Sequence, residues 1–224
     1  MVDVVRRRGE RARGRGAERR QTPGTAAAQY AAMGWPVCLG AHPSRGIEGT
    51  IEMGRACSCD RVGCPAPGAH PVSPAWQMQA TVDLNMIQGW WETRPEANVI
   101  LATGRVFDVL DVPVAAGSAA LGEMEGAGAA VGPVAVLGQD RMLFFVMTRG
   151  APADEDEWWS CGLDCEPESV DVAGLRWHCR DSYVAAPPSR FPGGLTACWL
   201  RAPQEHPLPD ALRLLEYLAD ACEA

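Results

Sequence analysis

The chain has 224 residues, is 47% hydrophobic and carries a formal charge of −8 from 20 basic and 28 acidic groups. That length and apolar fraction suit one globular domain with an insert or a tail, and no apolar run reaches the length of a membrane span. Every basic residue is arginine, and eight of them fall in residues 1–20 beside Asp3, Glu10 and Glu18, so the remaining chain holds 12 arginines against 25 acids. A basic tail on an acidic body is not the footprint of a strong duplex binder.

Residues 1–23 are basic, broken by glycine and nearly free of large apolar groups, which predicts a disordered arm able to meet phosphates. The charged start leads into no apolar segment, so the expectation is a cytoplasmic protein without a secretory signal. In that compartment the nine cysteines are thiols or metal ligands rather than disulfides.

The domain is expected over 24–224. Thr25 is a candidate cap for a helix over Ala26–Met33, ended by Gly34. Trp35–Leu39 reads as a strand. Residues 41–75 are rich in Gly, Pro and Cys and have no period, so they form an insert that needs something to hold it. Thr81 is a candidate cap for a helix to Trp91 with Leu84, Ile87, Trp90 and Trp91 on its apolar stripe. Asn98–Thr103 and Arg105–Val112 supply strands. Ala115–Gly126 reads as a helix. Pro133–Leu137 and Met142–Met147 are strands joined by the turn Gly138-Gln-Asp-Arg141. An acidic loop follows over 149–168, then strands at Tyr183–Ala186 and Leu195–Leu200. A final helix runs from Pro209 to Cys222 with Leu212, Leu215, Tyr217 and Leu218 inward. Helices and strands alternate loosely around a hairpin, so the predicted class is α+β with a mixed sheet and flanking helices.

Two constellations bear chemistry. Cys57, Cys59, Cys64 and His70 lie within 14 residues among turn formers. This set satisfies a tetrahedral zinc with no open position, and the metal would supply the folding energy such a loop lacks. The second is Asp108 and Asp111 in an otherwise apolar strand, where a carboxylate is costly unless paired or bound to a metal. Three residues apart, they point to opposite faces and do not readily share one ion. A further group, Cys161, Cys165, His178 and Cys179, has irregular spacing and reads as buried thiols. Asp154–Glu157 beside Trp158 and Trp159 reads as a solvated acidic run.

An ordered series of short stretches carries a family resemblance over about residues 25–200. It comprises Tyr30–Val37, Ala80–Asp83 with Ile87 and Trp90–Trp91, Pro95–Gly104, Val109–Val112, Leu143–Phe145 and Ser182–Ser189. Together they resemble the bifunctional DNA primase/polymerase domain of the archaeo-eukaryotic primase superfamily, found in actinobacterial and phage replication proteins. The Cys/His insert before Trp76 is similar to one seen in that family. The resemblance implies a sheet with an RRM-like catalytic half and two-metal nucleotidyl transfer with Mg²⁺ or Mn²⁺. It implies nucleic acid or nucleotides as ligands, with Arg180 and Ser189 as nucleotide-binding residues, and a helicase or another replication protein as partner. It also implies an Asp-x-Asp motif. Asp111 matches its first member, but Pro113 stands at the second. The family's next motif has a histidine before an apolar pair, and Met142 stands there. A third carboxylate maps to Asp171. The expectation is therefore a domain with vestigial catalytic residues Asp111 and Asp171 that binds nucleotides or single strands. Two alternatives stand beside it: an active enzyme that recruits Asp108 or Glu168, and a zinc-containing interaction protein.

Overall fold

The structure is a computed structural model whose described residues are 21–44, 57–59, 61, 63–148 and 174–224. The arginine-rich tail over 1–20 and the acidic loop over 149–168 therefore lie outside the described residues.

The first helix, α1 (Pro23–Ala32), begins earlier than Thr25. The Thr22 side chain accepts the Thr25 N–H at 3.2 Å, and Pro23 takes the first helical position, where its missing N–H costs nothing. After β1 (Val37–Gly40) and the short helix α2 (Trp76–Gln79), α3 spans Leu84–Thr93. Its cap is Asp83, not Thr81. The Asp83 carboxylate accepts the N–H groups of Asn85 and Met86 at 2.8 and 3.2 Å, while Thr81 pairs its backbone with Val37. Ile87 and Trp91 are the buried side of α3, and Leu84 stands half exposed.

The α+β class holds, but the expected mixed sheet resolves into two sheets, and every pairing among the described strands is antiparallel. The smaller sheet places β2 (Asn98–Ala102) between β1 and β7 (Tyr183–Ala186). The larger contains β3 (Phe107–Pro113), β4 (Val134–Leu137), β5 (Arg141–Met147), β6 (Arg176–His178) and β8 (Ala197–Arg201), in the order β6-β3-β5-β4-β8. The hairpin read from the sequence is β4–β5, and β5 pairs with β3 over its whole length. Since β5 is antiparallel to both neighbours, β3 and β4 run parallel, and α4 (Val114–Gly126) is their crossover. This is a split β-α-β unit, the topology of an RRM-like half.

Strand alternation sends the two faces of β3 into different cores. Phe107 and Val109 join Leu143 and Phe145 against Tyr30, Trp35, Ile87 and the smaller sheet. Trp35 anchors this layer, its ring centroid 4.5 Å from Phe107 and 5.3 Å from Phe145. Leu110 and Val112 face the second core, under α4 and the last helix, α5 (Ala211–Glu223). Asp210 caps α5 and sets its phase, so Ala211, Leu214 and Leu218 point inward, whereas Leu212, expected inside, is exposed. The third, smaller core of Cys38, Ile100 and Ala185 lies on the far face of the smaller sheet, beneath Ala69 and Trp76.

Candidate functional site

Asp108 and Asp111 are both buried, and they do point to opposite faces of β3. On the α4 side the indole N–H of Trp177 donates to Asp108 Oδ2 at 3.3 Å. On the other side Asp111 is held by side chains from two neighbouring strands. Arg141 Nε donates to Asp111 Oδ1 at 2.7 Å, and Arg141 Nη2 donates to the Asp111 carbonyl at 2.9 Å. His178 Nε2 stands 3.3 Å from the other carboxylate oxygen, and its Nδ1 lies 3.0 Å from Ser182 Oγ. Each oxygen of Asp111 thus faces a nitrogen of a basic side chain. Arg176 pairs in register with Asp111, which puts its side chain on the same face. Its Nε is buried with no hydrogen-bond partner among the described residues.

Pro113 shares the Asp111 face and brings no oxygen to it. Its partner in register across β5 is Arg141. Met142, expected at the histidine position, instead turns into the second core and packs against Gly117. The β5 residue that meets Asp111 is Arg141. The sequence carried only part of the signal for this. A hairpin turning at Gly138–Asp140 sets Arg141 opposite Leu137, and the pairing of β5 with β3 sets it opposite Pro113, on the Asp111 face. The role of β6 had no comparable signal, because Arg-Trp-His is three residues long and its value comes from pairing with β3.

The other expected residues are scattered. Asp171, Glu166 and Glu168 lie outside the described residues, as do Cys161, Cys165 and Asp154–Glu157. Cys179 is buried. Ser189 is fully buried, and its hydroxyl both accepts the Val99 N–H and donates to the Val99 carbonyl at 3.1 Å. Arg180 is exposed on the turn after β6, 3.7 Å from the Asp181 carboxylate. That turn packs on Gly104, whose φ of +80° and 2.2 Å approach of a would-be Cβ to Arg180 Cα leave room only for glycine.

The insert gathers its four donors. The ligand atoms of Cys57, Cys59, Cys64 and His70 all lie within 4.8 Å of one another. His70 Nε2 is 3.4 Å from both Cys57 Sγ and Cys64 Sγ, while Nδ1 donates to the Pro71 carbonyl at 2.8 Å. That outer hydrogen bond leaves the Nε2 lone pair turned toward the thiols, the arrangement of a metal-bound histidine. Burial pushes the Cys64 thiol up to about 11, with the neighbouring Cys59 and Cys57 sulfurs adding to it. Such a thiol gives up its proton readily only to a cation. The insert is tied to β1, where the Val72 N–H donates to the Leu39 carbonyl at 2.9 Å, and it is braced within itself and against β2. Ser58 N–H donates to the His42 carbonyl at 2.8 Å, and Asn98 Nδ2 donates to the carbonyls of Gly68 and Arg190 at 2.8 and 2.7 Å.

No curated protein matches the chain. The family model of the bifunctional DNA primase/polymerase N-terminal domain matches residues 27–211. The match takes in both sheets, the Asp111 cluster and the four Cys/His donors. The chain belongs to the bifunctional DNA primase/polymerase N-terminal family.

Proposed function

We propose that this is a primase/polymerase domain that has lost nucleotidyl transfer and serves as a binding module for nucleotides or single strands in replication or in a mobile element. The observation that carries this reading is the state of Asp111. Two-metal transfer needs cations about 3.5–4 Å apart, clamped by acidic ligands. Here Arg141 and His178 hold the two carboxylate oxygens, and Pro113 supplies none. Asp108 lies on the opposite face, beyond reach without a bulge or register slip. Asp171 remains the proposed third, vestigial carboxylate. Arg180, exposed on the turn after β6, and Ser189 are the proposed nucleotide-binding residues. Ser189 would act through the backbone it fixes, since its hydroxyl is buried on Val99.

Zinc is the metal proposed for Cys57, Cys59, Cys64 and His70. A tetrahedron with ordinary Zn–S and Zn–N bonds has S···N edges of about 3.5 Å, which the two 3.4 Å separations at His70 Nε2 match. Four protein donors leave no open position, so the role is structural. Mg²⁺ or Mn²⁺ belongs to the reading only if transfer survives. Strand binding is proposed to be weak and salt-sensitive, carried mainly by Arg6–Arg20, with a helicase or another replication protein as the partner class.

Primer extension and de novo priming with Mg²⁺ or Mn²⁺ test the reading. The expected result is no product. Robust synthesis that disappears in Asp111→Ala would overturn it. Deleting residues 1–23 should remove most single-strand affinity at low salt.

A further inference from the structure

We propose that the groove between α2 and α3 takes the bases of a single-stranded nucleic acid, stacked beside Trp76 and Trp90, with Arg94 on a flanking phosphate. This rests on the strand-binding reading above and gives the body of the domain a contact that the arginine tail does not supply. The groove has a volume of about 560 Å³ and is floored by β1 and the Val72–Ser73 segment. That size suits a small planar group. Folding leaves its surroundings uncovered. Five of the nine exposed large apolar side chains among the described residues, Val72, Met78, Val82, Leu84 and Met86, fall within 15 residues around it. An apolar patch of that density marks a binding surface.

The α3 side of the groove selects the occupant. Met86, Gly89, Trp90, Thr93 and Arg94 follow one another at spacings of three and four, so they share one stripe, and all but Gly89 line the groove. A Cβ at Gly89 would meet nothing within 4 Å. No contact inside the protein therefore requires glycine there, although glycine is unfavourable in a helix interior. A ligand lying against the helix would require it. Trp90 packs on the first core. Trp76 makes an edge contact with Tyr183, ring centroids 5.1 Å apart at 74°, which holds the indole and covers at most one of its faces. Arg94 is the one charged side chain lining the groove, and it has no ion-pair partner among the described residues. The acids of α3 are engaged elsewhere: Asp83 caps the helix, and Glu92 accepts from Gln88 at 2.7 Å, off this stripe. Two held indoles beside an unpaired guanidinium suit a π-face next to an anion. A base with its phosphate has both, whereas an apolar peptide would leave the guanidinium unmatched.

Fluorescence anisotropy of the full chain with a labelled oligo-dT strand, and with an abasic oligomer of the same length and charge, tests this at low and raised salt. The oligo-dT strand is expected to bind about tenfold tighter or more than the abasic one, the scale of a stacked base. That ratio should persist as salt rises, because stacking releases no counterions. Trp90→Leu should bring the ratio near one. Gly89→Leu fills the open stretch of the groove without removing a contact, and should do the same if Trp90→Leu does not fold. Arg94→Gln should weaken both oligomers and flatten the log–log salt dependence by about 0.7. A wild-type ratio of one, or a ratio left unchanged in both groove variants, would overturn the proposal. The two readings fail separately. If neither oligomer binds at low salt, the strand-binding reading is lost with this one. Equal binding of the two oligomers removes the groove alone, keeps strand binding on the tail, and leaves the apolar patch to a protein partner.

Discussion

Arg141 reaches past its own register partner to bind Asp111. It sits opposite Pro113, yet its Nε lies 2.7 Å from the carboxylate two residues along β3. A proline ring at position 113 offers no side-chain oxygen to compete for the guanidinium, so Arg141 is left to Asp111. Removing the cation should leave a nearly buried carboxylate with His178 alone. Arg141→Ala is expected to lose about 1–3 kcal/mol in urea unfolding. Adding Asp111→Asn should recover part of that loss. An Arg141→Ala midpoint equal to wild type would show that the pair contributes nothing to stability.

A metal site is expected to form with two changes on this face. Pro113→Asp with Arg141→His removes the competing guanidinium and places two carboxylates two residues apart. Pro113 is also the N-terminal cap position of α4 and makes no side-chain cap bond, so an aspartate there should help that helix. Mn²⁺ titration followed by electron paramagnetic resonance should show binding in the double variant and none in wild type. Met142→His, by contrast, should destabilise the fold by burying an imidazole against Gly117 without restoring Mn²⁺ binding.

For the insert, protein from zinc-supplemented medium should carry about one zinc per chain by elemental analysis. Cys59→Ser and His70→Ala should each abolish it. Full zinc content in either variant would refute the four-donor site.

Asn98 joins three parts of the chain. Besides its two donated bonds, its Oδ1 accepts the Arg190 N–H at 2.9 Å. Asn98→Ala should cost about 2–4 kcal/mol in urea unfolding, as three buried backbone groups lose a partner. It should also weaken zinc affinity, measured by competition with a chromophoric chelator. An isosteric Asn98→Leu with unchanged zinc affinity would show that the insert is held without this link.

Burial pushes the Cys38 thiol from 9.0 up to about 12. Above the unfolded value the unfolded chain releases this proton while the folded chain retains it. Stability should therefore be unaffected below pH 9 and fall by about 1.4 kcal/mol per pH unit between pH 9 and 12. Cys38→Ala should flatten the decline by that amount relative to wild type. Parallel curves for the two proteins would show that the thiol is not shielded.

What the sequence disclosed follows from the range of the interactions. The strands around Val109 and Phe144 were legible because β-branched and aromatic residues cluster there, and the Cys/His set because its donors are neighbours in the chain. The Asp111 cluster was not. Asp111 and His178 are 67 residues apart, and they meet only because β6 pairs with β3. Arg141 was hidden because its contact with Asp111 depends on the register between β3 and β5, some 30 residues apart in the chain, which sequence spacing does not give. Helix caps erred for a local reason. Thr22 and Thr25 both carry cap chemistry, and Pro23 decided between them.

The smaller sheet has a consequence for synthesis. Its central strand β2 is apolar and fully buried, and its two partners lie on either side of it in the chain, β1 before and β7 some 80 residues after. During translation β2 must wait, with one edge open, until the ribosome has delivered Tyr183–Ala186. An unpaired apolar edge is a template for another chain. A nascent protein stalled before that point should therefore be sticky in a way that the finished one is not, and a chaperone that shields β2 would act in that interval.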